Sequence, residues 1–145
     1  MIHLFKWLFL LGIVCPFQVN AQNKETASVT VVVNGIESKE GSIQIAFFST
    51  KASFPDEKPY KANKLSLNES GEVTLIFKDI PFGEYALAVY QDKNDNDKLD
   101  TNLVGIPKEP YGFSNNHNPK FSRPNYDEAK VEIRQASQTL NVKIE

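Results

Sequence analysis

An all-β sandwich is what this 145-residue chain predicts. Three observations carry that reading: hydrophobicity alternates with period two wherever the chain has ordered composition, β-branched and aromatic residues fill those segments, and Gly, Pro, Asn and Ser interrupt them. Seven strands follow in order. The first four are Ala27 to Val33, Ser42 to Phe48, Lys64 to Leu67 and Val73 to Phe77. The fifth is the clearest, because Tyr85, Leu87 and Val89 alternate with Ala86, Ala88 and Tyr90 and so face opposite sides of a sheet. The last two, Lys130 to Arg134 and Thr139 to Ile144, meet across Gln135 to Gln138 and are expected to form a hairpin whose apolar face is Val131, Ile133, Leu140, Val142 and Ile144. Asn34-Gly35 and Ser70-Gly71 read as turns, with glycine free to adopt a positive φ. Helix is expected only as a single turn near Thr50 to Phe54, stopped by Pro55 and Pro59.

About seven short strands separated by turns fit an immunoglobulin-like or transthyretin-like (prealbumin-like) sandwich, in which two sheets hide their apolar faces against each other. From Gln91 to Asp127 the strand pattern lapses, and structureless connections of that length are uncommon in compact domains. Disorder predicts few aromatics, yet Tyr111, Phe113, Phe121 and Tyr126 punctuate the segment together with Leu99, Leu103, Val104 and Ile106. It is therefore expected to be one long ordered loop packed on the sandwich, with Pro107, Pro110, Pro119 and Pro124 limiting the entropy it loses.

Residues 1–21 read as an export signal: Lys6 precedes the apolar stretch Trp7 to Val14, and Val19-Asn20-Ala21 is a small-residue cleavage pattern. The stretch is shorter than the roughly 20 apolar residues that a spanning helix needs. A lipidated Cys15 is the alternative, but Val14 precedes it where a lipoprotein signal peptidase requires a small residue. Residues 22–145 then form a single domain, exported to the periplasm or the extracellular space, with no transmembrane segment. That domain carries no cysteine, so no disulfide supports it. The formal charge of the whole chain is −2, and loss of Lys6 makes it one unit more acidic. With no basic cluster to track a phosphate backbone, nucleic acid is excluded as a partner.

The richest chemistry lies between Asp92 and Asn102, where oxygen-bearing side chains recur at every second position. Asp92, Asn94 and Asn96 have the one, three, five spacing of a calcium loop, Lys98 offers a backbone carbonyl at seven, and Asp100 stands at nine. Calcium prefers six to eight oxygen ligands at about 2.3–2.6 Å, a need these donors suit. Leu103 occupies position twelve, where a helix-flanked loop has its bidentate glutamate, so a closing carboxylate has to come from elsewhere, Glu109 among the choices. A solvated turn is the other reading, because Asp and Asn bond their own backbone without any metal.

Catalysis finds little support. His117 in Asn115-Asn116-His117-Asn118 is the sole histidine beyond the leader, too few for a zinc site, and no nucleophile-elbow sequence accompanies it. Tyr111, Phe113, Asn115 and Asn116 are candidate contacts for a sugar or peptide; the aromatics read equally as a plug fastening the long loop to the sheet.

Three segments, Ile80 to Val89, Asp92 to Asn102 and Gly105 to Asn116, resemble in order and spacing the uncharacterised secreted family called domain of unknown function 2141. The likeness runs from about Ser28 to the C-terminus, and Gly-Phe-Ser-Asn-Asn at 112–116 is its most specific part. It implies the sandwich and export but no activity. The family pattern has glycine where this chain has Asp97. Pro81, Gly83 and Tyr85 also resemble the start of a strand in carboxypeptidase regulatory and other transthyretin-like domains, though a turn followed by a core tyrosine accounts for them. The resulting expectation is a monomeric, non-catalytic module of the cell envelope whose loop binds Ca²⁺. The alternative is an accessory module that uses the loop aromatics to hold a carbohydrate or peptide without metal, its partner an envelope glycan or protein.

Overall fold

The computed structural model describes residues 25–119 and 122–145; the expected export signal at 1–21, Cys15 and Phe121 lie outside these. Two sheets pack face to face. One has the order β4-β1-β8, formed by β4 (Gly71–Pro81), β1 (Thr26–Ile36) and β8 (Ser137–Lys143). The other has the order β3-β2-β5-β6, formed by β3 (Lys61–Ser66), β2 (Ser42–Phe48), β5 (Gly83–Asp92) and β6 (Tyr111–Phe113), with β7 (Val131–Ile133) also paired to β5. The period-two pattern dictates this layering. Val29, Val31, Val33, Leu75, Phe77 and Val142 from the first sheet meet Ile43, Ile45, Phe47, Tyr85, Leu87 and Val89 from the second in one buried core.

Four expectations are corrected. The last two strands do not form a hairpin: β7 runs antiparallel to β5 and β8 runs parallel to β1, so the connection crosses from one sheet to the other. Both strands still bury their apolar faces, Ile133 and Val142 included, and alternation alone does not say which neighbour a strand takes. Asn34-Gly35 is a bulge inside β1 and not a turn after it; Gly35 has φ 90° and a β-carbon there would stand 2.2 Å from the Ile144 carbonyl oxygen. The long segment contains a strand, β6, that its composition concealed. Leu103, Val104 and Ile106, expected to pack inward, are exposed.

The rest of that segment does fasten to the sandwich. A second buried cluster forms on the outer face of β5, where Ala86 meets Phe48, Phe54, Phe113, Tyr126 and Ala129. Phe54 is its centre, with ring centroids 5.5 Å from Phe48, 5.5 Å from Phe113 and 5.9 Å from Tyr126. Tyr126 and Ala129 come from a single helical turn, α1 (Tyr126–Ala129), which Asn125 caps by accepting from the Asp127 N–H. Central strand β5 is thus buried on both faces, which explains its small outward residues Ala86 and Ala88.

Candidate functional site

The Asp92–Asp100 loop leaves the end of β5 and folds on its own side chains. Asp92 is fully buried: one carboxylate oxygen accepts from the Asn96 N–H at 3.0 Å, the other from the Asp97 N–H at 2.8 Å and from Gln44 Nε2 at 3.3 Å. The backbone turns at Asp95 and Asp97, with φ 56° and 61°. Asp97 thus adopts the left-handed conformation that glycine would take at this position, a conformation that aspartate tolerates better than most residues. The side chains of Asn94, Asn96 and Asp100 converge: Asn94 Nδ2 lies 2.7 Å from one Asp100 oxygen and Asn96 Nδ2 3.1 Å from the other. Asn94 Oδ1 and Asn96 Oδ1 accept from the backbone N–H groups of Asn96 and Lys98 at 3.2 and 2.9 Å. Of the five residues expected to ligate, three therefore meet, Asp92 anchors the turn from beneath, and Lys98 joins through its backbone.

Glu109 closes the loop. Buried to 7% exposure, it accepts from the Lys93 N–H at 2.8 Å with one oxygen and from the Asp100 N–H at 2.9 Å with the other, tying together the two limbs. Behind it, Thr101 bridges to Pro107, and Lys108 N–H donates to the Asp100 carbonyl.

Sequence reasoning missed the other half of the setting, because nothing local marks it: Ser42 and Gln44 on β2 and Lys64 on β3. Lys64 Nζ sits 2.8 Å from Asp97, 3.1 Å from Asp95 and 4.0 Å from Asp92. Hydrogen bonds to Asp97 and Asp95 raise its pKa, while the Ser42 hydroxyl and then Lys64 lower that of Asp95, and Lys64 and then Gln44 lower that of Asp97. Lys64 is therefore a built-in counter-ion for the aspartates that the Asn94, Asn96 and Asp100 group does not use. Among the described residues, no group of three or more His, Cys, Asp or Glu side chains is placed to hold a metal.

Beside the loop lies a cleft of about 1040 Å³. Ala46, Ala88 and Tyr90 line it on the sheet, Ile106 and Pro107 on the loop, and Tyr111 beside them. Burial, followed by the charge of Asp92, pushes the Tyr90 phenol up to about 12. Phe113 also reaches the cleft, but most of its ring is locked in the second core. The remaining candidate contacts serve the fold. Asn115 Nδ2 donates to the carbonyls of Glu128 and Lys130, and Asn116 Oδ1 accepts from the Lys143 N–H.

The whole Gly-Phe-Ser-Asn-Asn run acts as a fastening. Gly112 passes so close to β8 that a β-carbon would stand 2.1 Å from the Lys143 carbonyl oxygen. Ser114 accepts from the Leu87 N–H and donates to the Ala129 carbonyl, while Asn115 and Asn116 turn the chain at φ 57° and 50°. No curated protein and no solved structure matches the chain. A family model described as "uncharacterized protein conserved in bacteria (DUF2141)" matches residues 31–141, which hold most of both sheets, the loop and the fastening. The chain belongs to that family.

Proposed function

We propose that this protein is an exported, non-catalytic envelope module of immunoglobulin-like or transthyretin-like type, and that its Asp92–Asp100 loop binds Ca²⁺. The fold type is supported by the parallel pairing of β1 with β8 and by the buried Tyr85, whose hydroxyl donates to the Pro81 carbonyl at 2.9 Å in the manner of a tyrosine corner. Export rests on the composition of residues 1–21.

The observation that carries the metal reading is the meeting of Asn94, Asn96 and Asp100 above a buried Asp92. The two amide N–H donors on Asp100 stand where a cation would balance its charge; turning the amide oxygens toward the same point would release the Asn96 and Lys98 N–H groups that they now accept from, a loss that ion binding has to outweigh. Asp92, Asn94, Asn96, Asp100 and the Lys98 carbonyl would hold the ion, and water would complete a shell of hard oxygen donors. Its role is structural: it would stiffen the wall that Leu99, Ile106 and Pro107 give to the cleft.

Because a ligand that binds only the folded state stabilises it, calcium at about 100 times its Kd adds about 2.7 kcal/mol. The melting temperature should rise by roughly 10 °C over that in chelator, and Asp100→Ala should abolish the rise. An equal melting temperature with calcium and with chelator would defeat the reading. A second reading is favoured by the cleft itself, which is large enough for a short glycan or peptide resting on Tyr90 and Tyr111. Binding to envelope glycan that survives chelator and is lost in Tyr111→Ala would support it.

A further inference from the structure

Both sheets have a strand at their open side, but the two edges are built differently. β3 is short and carries Lys61 and Lys64, charges that discourage pairing with another chain. β4 is 11 residues long, and its only strand partner among the described residues is β1. Beyond Lys78 its C-terminal end is protected, because the bulge opposite β1 turns the backbone at Asp79, with φ 59°; at Lys78 itself the carbonyl accepts only from the flexible Lys61 side chain, which a pairing strand would displace. From Glu72 to Phe77 no such device appears. Instead Ile76 points outward at 57% exposure, a large apolar side chain in the middle of an unpaired edge.

We propose that this edge pairs with the β4 edge of a second copy of the chain, antiparallel about a two-fold axis at Leu75. The charge pattern selects that register. On the outward face β4 presents Glu72, Thr74, Ile76 and Lys78 in order. Centred on Leu75, Glu72 faces Lys78 of the other copy at both ends, and Thr74 faces Ile76. Moving the axis one residue keeps the same faces outward but sets Glu72 against Ile76 or Ile80 and loses both ion pairs. In the favoured register the two Ile76 side chains are diagonal neighbours across the seam, close enough to cover each other. The inner face joins Leu75 to Leu75 and Val73 to Phe77, continuing each core into the next. Two three-stranded sheets thereby become one of six strands, and the monomer expected from the sequence becomes a symmetric dimer in which both β4 edges are paired.

Sedimentation equilibrium over a concentration series tests this. A reversible monomer–dimer equilibrium, weakened by salt, is expected. Glu72→Lys and Lys78→Glu each place like charges opposite each other twice, and each should weaken the dimer by about tenfold at low ionic strength. The combined exchange Glu72→Lys with Lys78→Glu restores opposite charges in this register alone and should recover the wild-type constant. Both residues are exposed, so an unchanged circular dichroism melt will separate loss of pairing from loss of fold. A protein that stays monomeric at all concentrations, or a dimer whose strength ignores the single exchanges or is not rescued by the double one, would overturn the proposal.

Discussion

Glu109 shows how much one side chain carries in this loop. Its two oxygens take backbone N–H groups from opposite limbs, and hydrogen bonds to charged groups contribute about 1.5–3 kcal/mol each. Glu109→Ala is expected to cost about 2–4 kcal/mol in chemical denaturation, some of the loss being recovered by water at the loop rim, with Glu109→Gln losing about half as much. A loss below about 0.5 kcal/mol would mean that the limbs hold together without it. Tyr90 supplies a pH signature. Its folded pKa lies above the unfolded value of 10.0, so the stability tied to its neutral phenol is complete below about pH 10 and is lost as pH climbs toward about 12. In an absorbance titration of phenolate, the native protein should hold back a tyrosine that Tyr90→Phe removes; ionisation of every tyrosine near pH 10 would contradict this. At this scale the sequence was legible for Asp92, Asn94, Asn96 and Asp100, whose spacing is local. Lys64, Ser42 and Gln44 were not, because they reach the loop only once β2 and β3 are paired.

Among the elements, β2 was readable to the residue and β5 nearly so, since each alternates without interruption. The failures have a common cause. A three-residue strand such as β6 is too short to show a period, and it exists because β5 offers a free edge; β7 was legible as a strand within Lys130 to Arg134, but its pairing with β5 was not. The partner of β8 was equally hidden, because parallel pairing with β1 is a non-local choice. What holds β6 and α1 in place is the second core around Phe54. Phe54→Ala should destabilise the protein by about 3–5 kcal/mol and release hydrogen-exchange protection in β6 and α1 before the main core opens. A loss under about 1 kcal/mol would show that the Ser114, Asn115 and Asn116 hydrogen bonds suffice.

For the whole molecule, the division of labour follows from where charge and apolar surface fall. Two sheets and a second core give a rigid body without disulfides; the polar loop projects from the end of β5 and walls one side of an open cleft. The match at residues 31–141 covers most of this arrangement, so the family pattern describes a scaffold and its fastening as much as a site. Calcium affinity should be modest, because Asn94, Asn96 and the Lys98 carbonyl are neutral donors and Lys64 already offsets part of the negative charge. Isothermal titration of the metal-stripped protein with Ca²⁺ is the most direct measurement. One site with Kd of about 10⁻⁴ to 10⁻³ M, lost in Asp100→Ala, is the expected result. Absence of any saturable heat up to several millimolar Ca²⁺, on the order of the weakest site expected, would contradict it.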